Sequence, residues 1–393
     1  MRLSERAMAI TPSATLAVAA KAADLKRQGV NVIGFGAGEP DFRTPANIVT
    51  AAKAALDAGH FGYAKPSSGI PSAKEAICEK FRRENGLTYA TNQVLVTLGG
   101  KEALALAFAS LLNPGDEVLL PVPYWVSFPE QIQFFGGKVV PIFPKGDDLR
   151  LAPQQIAAAV TDRTRIFVFN SPSNPGGFAY NADETRAIAE ALAGRDLIVF
   201  SDEMYDQLRY GDRREHYSFA RTSQAWYERT ITFNATSKTH AMTGWRLGYA
   251  AGPADVIKAM ANVQSHTTSG AVHFAQYGLV EALTGDQSHV AEMHAAFEKR
   301  GAHMARRLNE LKGVRCIEPS GAFYCFPDVR ESFASLGVAN AAGFCEVMLE
   351  KAHVALVAGD AFGMDTHIRM SFATGMDQID TGIDRMAEVL GRR

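Results

Sequence analysis

LIVFSDEMY, residues 197–205, opens on a strand-length apolar run and closes on an acid and a tyrosine. The run does not alternate apolar with polar residues, so both of its faces are buried. That is the mark of a strand inside a sheet covered by helices on each side. Working outward, similar runs recur at 94–98, 117–120, 165–170, 230–234 and 247–251. Helical stretches such as 102–112, 183–193 and 254–263 separate most of them. This alternation predicts an α/β fold with a mostly parallel sheet, whose ligands sit at the carboxyl ends of the strands.

The flanks read differently. A helix is expected over 14–28, with Thr11 or Ser13 as N-cap and Gly29 as its stop. A short strand follows at 32–35, then helices at 46–58 and 70–84. Beyond residue 290 come a long helix over 290–311, short strands near 314–317 and 323–326, and helices at 341–352 and 377–390. This second pattern predicts a smaller α+β domain. The expected division is a large domain over 46–285 and a small one made of 1–45 with 286–393.

Composition narrows the function. The chain has 393 residues, a net charge of −2 and an ordinary apolar share. No general positive field is available for nucleic acid. No apolar run is long enough to cross a bilayer. The first ten residues carry charges throughout, so no signal peptide is expected and the cytoplasm is the expected location. The four cysteines, Cys78, Cys316, Cys325 and Cys345, never stand at C-x-x-C spacing. Reduced, mostly buried thiols are expected, not a metal site or redox pair.

The chemistry gathers where strands end. After the strand at 230–234 comes Ser237-Lys238, and eight residues later Arg246 between Gly244 and Gly248. A lysine held over a sheet and desolvated becomes a nucleophile toward carbonyls. An arginine fork suits a phosphate. In LIVFSDEMY, Asp202 can pair with a protonated ring nitrogen and Tyr205 with a phenolate oxygen; alone, this pattern is equally a helix cap. NSPSNPGG presents the Asn174 amide in a constrained turn. VTLGGKEA runs from strand through Gly99 and Gly100 to a helix start, where free N–H groups bind phosphate. Gly34-Phe35-Gly36-Ala37-Gly38 is not a dinucleotide fingerprint, because Glu39 and Pro40 spoil the helix start. Trp125, in PYW, can stack on an aromatic ring. Arg369, in IRMSF, is expected as the outward residue of a short strand, able to grip a carboxylate.

Taken in order, PSATLAV, GEPDF, GGKEA, PYWVSFPE, NSPSNPGG, SDEMY, SKTHAMTGWRLGY and IRMSFAT resemble the class I aminotransferases, and among them the bacterial aspartate and aspartate/prephenate branch. The resemblance covers nearly the whole chain. It implies the aspartate-aminotransferase fold (fold type I) and pyridoxal 5′-phosphate as cofactor, held by Lys238 as a Schiff base. Lys238 is also implied as the proton carrier in a ping-pong exchange between an amino acid and a 2-oxo acid. By resemblance, Asp202 keeps the pyridine nitrogen protonated, and Tyr205 and Asn174 hold the ring oxygen. Trp125 stacks on the ring. Gly99, Gly100, Lys101, Ser237 and Arg246 lie on the phosphate side. Arg369 clamps the substrate α-carboxylate, with Gly38, Trp125 and Asn174 lining the substrate. Ser13, Thr15 and Lys101 approach a distal carboxylate. Tyr63 reaches the cofactor phosphate of a neighbouring subunit, which implies a homodimer with shared active sites.

Two departures stand out. Gly176 follows Asn174-Pro175 where threonine is common, and is expected to loosen the turn. Ala235 lacks a hydroxyl that some relatives aim at the phosphate; Ser237 is its expected substitute. Aspartate with 2-oxoglutarate is the expected pair. Prephenate, aromatic or alanine transamination, a lyase of the same fold, and an aminotransferase-like regulator domain are the alternatives. The regulator requires a DNA-binding helical domain ahead of PSATLAV, and a lyase fits the Arg369 and TGWRLGY context less well.

Overall fold

The computed structural model describes residues 2–392; Met1 and Arg393, the outer ends of the expected small domain, lie outside the described residues. The first strand, β1 (Ile33–Gly34), is followed by seven strands of one sheet. These are β2 (Val94–Leu98), β3 (Glu117–Pro121), β4 (Lys138–Ile142), β5 (Thr164–Asn170), β6 (Ile198–Asp202), β7 (Thr230–Ala235) and β8 (Leu247–Ala251). Their order is β2-β8-β7-β6-β5-β3-β4. Only β8 runs antiparallel to its neighbours. In β7 and β8 every residue is buried, as apolar runs without alternation require.

Helices cover both faces. Leu104, Phe108, Phe128, Ile132, Ile257 and Met260 pack with Val118, Val168 and Phe233 on one side. Ile48, Ile77, Leu279 and Leu283 pack with Val94, Val96 and Tyr249 on the other. The strand Lys138–Ile142 went unread in the sequence; its Pro141 is tolerated because β4 lies at the sheet edge.

Residues after 285 build a second core. It combines β9 (Tyr324–Cys325), β10 (Val354–Ala355), β11 (Val357–Ala358) and β12 (Ile368–Ser371) with the helices Ser288–Leu308 and Met376–Leu390. Strand order there is β11-β12-β9, all antiparallel. The N-terminal segment joins this part through β1, which pairs in parallel with β10.

Three expectations need correction. Residues 314–317 form no strand: Arg315 makes a single bridge to Asp328, while the Cys316 N–H is taken by Asn309 Oδ1. The helix expected over 70–84 is α-helical only over Pro71–Lys80, then widens into a π turn, Phe81–Asn85, closed by Gly86 at φ 65°. Arg369 does not face outward; it is 2% exposed, because the rings of Tyr324 and Phe362 lie against it. The four cysteines are free thiols, Cys316 and Cys325 buried and Cys78 and Cys345 half-buried. Among the described residues no single helix is long and apolar enough to cross a membrane.

Candidate active site

A cleft of about 640 Å³ opens at the carboxyl ends of the central strands, between them, the segment following β1, and β12. It is lined by Gly38, Gly100, Lys101, Trp125, Asn174, Asp202, Tyr205, Ser237, Lys238, Arg246 and Arg369, and by Thr15 from the N-terminal helix Ala14–Arg27. Three expected residues are not on its wall. Gly99 stands behind Arg246. Ser13 lies beside the wall, its hydroxyl 3.0 Å from that of Thr15; it holds the N-cap position of that helix without capping it. Tyr63 is 79% exposed and does not line this cleft.

Asp202 is the last residue of β6. Alternation along the strand sends Ser201 and Glu203 to the opposite side. There Ser201 Oγ donates to Glu203 Oε1 at 2.9 Å, and His216 Nε2 lies 2.7 Å from Glu203 Oε2. Asp202 is left facing the cleft, buried, with one hydrogen bond to its carboxylate, from the Met204 N–H at 3.2 Å. Burial pushes its pKa up to about 7. No α-helix follows, so neither Ser201 nor Asp202 is a helix cap.

Lys238 follows β7 in the short helix Thr236–Thr239. Its ammonium donates to the Gly38 carbonyl. Burial, reinforced by Arg369, lowers its pKa to about 8. An amine in that range is a competent nucleophile and proton carrier near neutral pH.

The phosphate-like cradle depends on three glycines. Gly99 adopts φ 79° and caps the helix Gly100–Leu111. A Cβ there would lie 2.6 Å from Arg246 Nη2, and one on Gly248 would lie 2.3 Å from the Gly100 N. Glycine therefore allows β8 and the guanidinium to close on the helix N-terminus. Arg246 itself sits at φ 54°, a costly conformation for a side-chain residue, and Nη1 donates to the Thr243 carbonyl at 2.9 Å. Lys101 Nζ lies 5.0 Å from the Trp125 ring centre.

On the opposite wall, Arg369 Nη1 donates to Asn174 Oδ1 at 3.1 Å and Nη2 to the Gly36 carbonyl at 3.0 Å. Asn174 is itself held by its N–H to Asn170 Oδ1, at 3.0 Å. The Phe178 ring fills the space a Cβ on Gly176 would take, at 2.4 Å, so the glycine makes room for an aromatic wedge.

Sequence reasoning missed several neighbours. Tyr324 Oη lies 3.0 Å from Tyr205 Oη. Met204 fills the space a Cβ on Gly100 would need, and Thr243 Oγ1 donates to Glu39 Oε2 at 2.8 Å. Lys80, Asn85, Glu203 and Asp206 form a buried polar network beneath the Asp202–Tyr205 loop. The signal for that network was present in SDEMYD, whose second and third acidic residues, Glu203 and Asp206, were left unread.

The model of aminotransferases of class I and II matches residues 30–386. The chain belongs to that family. The aminotransferase is 44% identical to an aspartate aminotransferase of Geobacillus stearothermophilus, over the full length of both chains. It is 45% identical to an aspartate/prephenate aminotransferase of Cereibacter sphaeroides, over 95% of this chain and 94% of that one. Among solved structures, the aspartate aminotransferase of Thermus thermophilus with maleate superposes with a TM-score of 0.93 at 42% identity, covering 99% of this chain and 100% of that one.

Enzymes of this family transfer an amino group between an amino acid and a 2-oxo acid with pyridoxal 5′-phosphate. The cleft of this aminotransferase fits that cofactor. It offers a buried carboxylate with a single hydrogen bond, which suits a cationic ring nitrogen. It also offers a lysine of lowered pKa and a helix N-terminus faced by an arginine.

Proposed function

We propose that this aminotransferase moves the amino group of L-aspartate to 2-oxoglutarate. The observation that carries the reading is the convergence of Lys238, Asp202 and Arg369 on one cleft, from β7, β6 and β12 respectively. Bound there, the cofactor supplies an electron sink for the substrate's Cα bonds. The residues do the rest. Lys238 would hold the cofactor covalently, and its amine, once free, would take the proton from the substrate's Cα and return it two atoms away. Asp202 keeps the ring nitrogen protonated. Tyr205 and Asn174 hold the ring oxygen, Trp125 covers the ring face, and Gly99, Gly100, Ser237 and Arg246 hold the phosphate.

Arg369 grips the α-carboxylate with its planar fork. Its Nε, buried and without a partner among the described residues, is available to such a ligand. Lys101, with Thr15 and Ser13 behind it, supplies the second positive end that a dicarboxylate needs. The Thermus relative solved with maleate, also a dicarboxylate, supports this reading. Leu16, Val18, Ala19 and Ala22 give the cleft an apolar wall as well, which favours prephenate as a second, bulkier dicarboxylate substrate.

Two further parts belong to the proposal. The division into a large domain, 46–285, and a small one, 1–45 with 286–393, lets the Ala14–Arg27 helix close over substrate as a lid. A cytoplasmic homodimer brings the exposed Tyr63 to the partner's cofactor phosphate. An amino-donor panel with 2-oxoglutarate tests specificity. Aspartate should exceed alanine in kcat/KM by at least about 100-fold, and Lys101→Ala should erase most of that preference. Unchanged discrimination in Lys101→Ala would remove the distal-carboxylate assignment.

A further inference from the structure

Tyr324 stands between the two halves of the cleft. It lies on β9, where its backbone pairs with Ser371, two residues after Arg369 on β12. Its hydroxyl lies 3.0 Å from that of Tyr205, 119 residues earlier. Its ring lies 4.5 Å from the Arg369 guanidinium carbon. It is 1% exposed, and a Cβ on Gly38 would lie 3.7 Å from its hydroxyl. Gly177, at φ 68°, lets the chain pass against the Tyr324 carbonyl, where a Cβ would come to 2.3 Å. The ring is therefore fixed from several sides.

We propose that Tyr324 is a positioning residue for both ends of the reaction site. Its hydroxyl donates to Tyr205, and its ring is the platform that holds Arg369. The proposal rests on the reading of Tyr205 as the residue facing the cofactor's ring oxygen.

The hydrogen bonds fix the direction. Burial raises the pKa of both tyrosines, so both hydroxyls keep their protons. Two hydroxyls in mutual contact use one proton between them and leave one free. An anionic ring oxygen is a better acceptor than a neutral hydroxyl, so it takes the Tyr205 proton. Tyr324 must then donate into the Tyr205 oxygen, and a chain of this kind polarises its last donor. Plain space-filling at this position needs no hydroxyl; Phe323, the preceding residue, is a fully buried ring without one. The ring has a separate use, since a guanidinium over an aromatic face is held electrostatically.

Tyr324→Phe removes only the hydroxyl, and Tyr324→Leu removes the ring as well. In the cofactor-loaded protein, a donor at the ring oxygen favours the more anionic form of the bound group. Weakening that donor raises the pH midpoint of its visible absorbance. Tyr324→Phe should raise the midpoint by about half a unit, less than Tyr205→Phe does. Its KM for aspartate should stay within about twofold of the parent, because the ring remains. Tyr324→Leu should add a rise in KM of about three- to tenfold. If Leu does not fold, judged by the melting curve of cofactor-free protein, Tyr324→Met provides the ringless variant.

An unmoved midpoint in Tyr324→Phe, beside a raised one in Tyr205→Phe, would overturn the role of the hydroxyl and leave the site reading standing. An unchanged KM in the ringless variant would overturn the platform. An unmoved midpoint in Tyr205→Phe would instead remove the site reading itself.

Discussion

The Lys238 ammonium donates to the carbonyl of Gly38, 200 residues earlier in the chain. The nucleophile follows β7, while the acceptor lies just after β1, in the segment that pairs with the C-terminal part. The amine is thus tied across the cleft, over the Phe323 ring at 5.7 Å. Burial and the positive charge of Arg369 lower its pKa from 10.5 to about 8. The rate at which the cofactor-free enzyme captures a carbonyl should rise with pH and level off just above 8. A rate still climbing toward pH 10 would show an ordinary solvated lysine.

Asp202 should destabilise the empty protein. Burial raises its folded pKa from the ordinary 3.8 to about 7. A raised pKa gives a contribution fully present below pH 3.8 and lost as pH rises through 7. Asp202→Asn should therefore stabilise the cofactor-free protein at pH 8 by about 2–4 kcal/mol, and change little near pH 4. The same variant should bind the cofactor more weakly. Urea unfolding at the two pH values checks the sign, and equal effects at both would refute it.

Lys80 and Asp206 form a buried ion pair, with side chains 3% and 1% exposed. Each holds the other in its charged form: Asp206 lies below its ordinary pKa and Lys80 above. Asn85 bonds Lys80 at 2.8 Å, and Asn234 Nδ2 reaches Asp206 Oδ2 at 2.9 Å. Lys80→Met strands a carboxylate in the interior and should cost about 3–5 kcal/mol. Thermal unfolding measures this; a loss below about 1 kcal/mol would show the pair to be solvated.

Much of this was legible in the sequence, for an identifiable reason. Strands buried on both faces are written as unbroken apolar runs, and the first polar residue after each run marks where the strand leaves the core. Asp202 stands at such a point, and Gly99, Asn174 and Lys238 follow their strands within a few residues, so fold and cleft were read together. Arg369 was legible as a strand residue, but not as a buried one, since alternation gives a face without saying what covers it. Tyr324 was invisible because GAFYCF reads as an ordinary apolar strand, and its partners lie far away in sequence. The steric need for glycine at 176 was hidden for the same reason: it lies in the Phe178 ring beside it.

The central claim is that Lys238 holds pyridoxal phosphate and carries the proton of a transamination. The direct measurement is the visible absorbance of the purified protein during a half-reaction cycle, beside Lys238→Ala. The native protein should show a cofactor band that aspartate removes and 2-oxoglutarate restores. Lys238→Ala should still bind the cofactor yet fail to complete the cycle. A protein that no added cofactor can colour, or a Lys238→Ala variant that cycles at the native rate, would contradict the account.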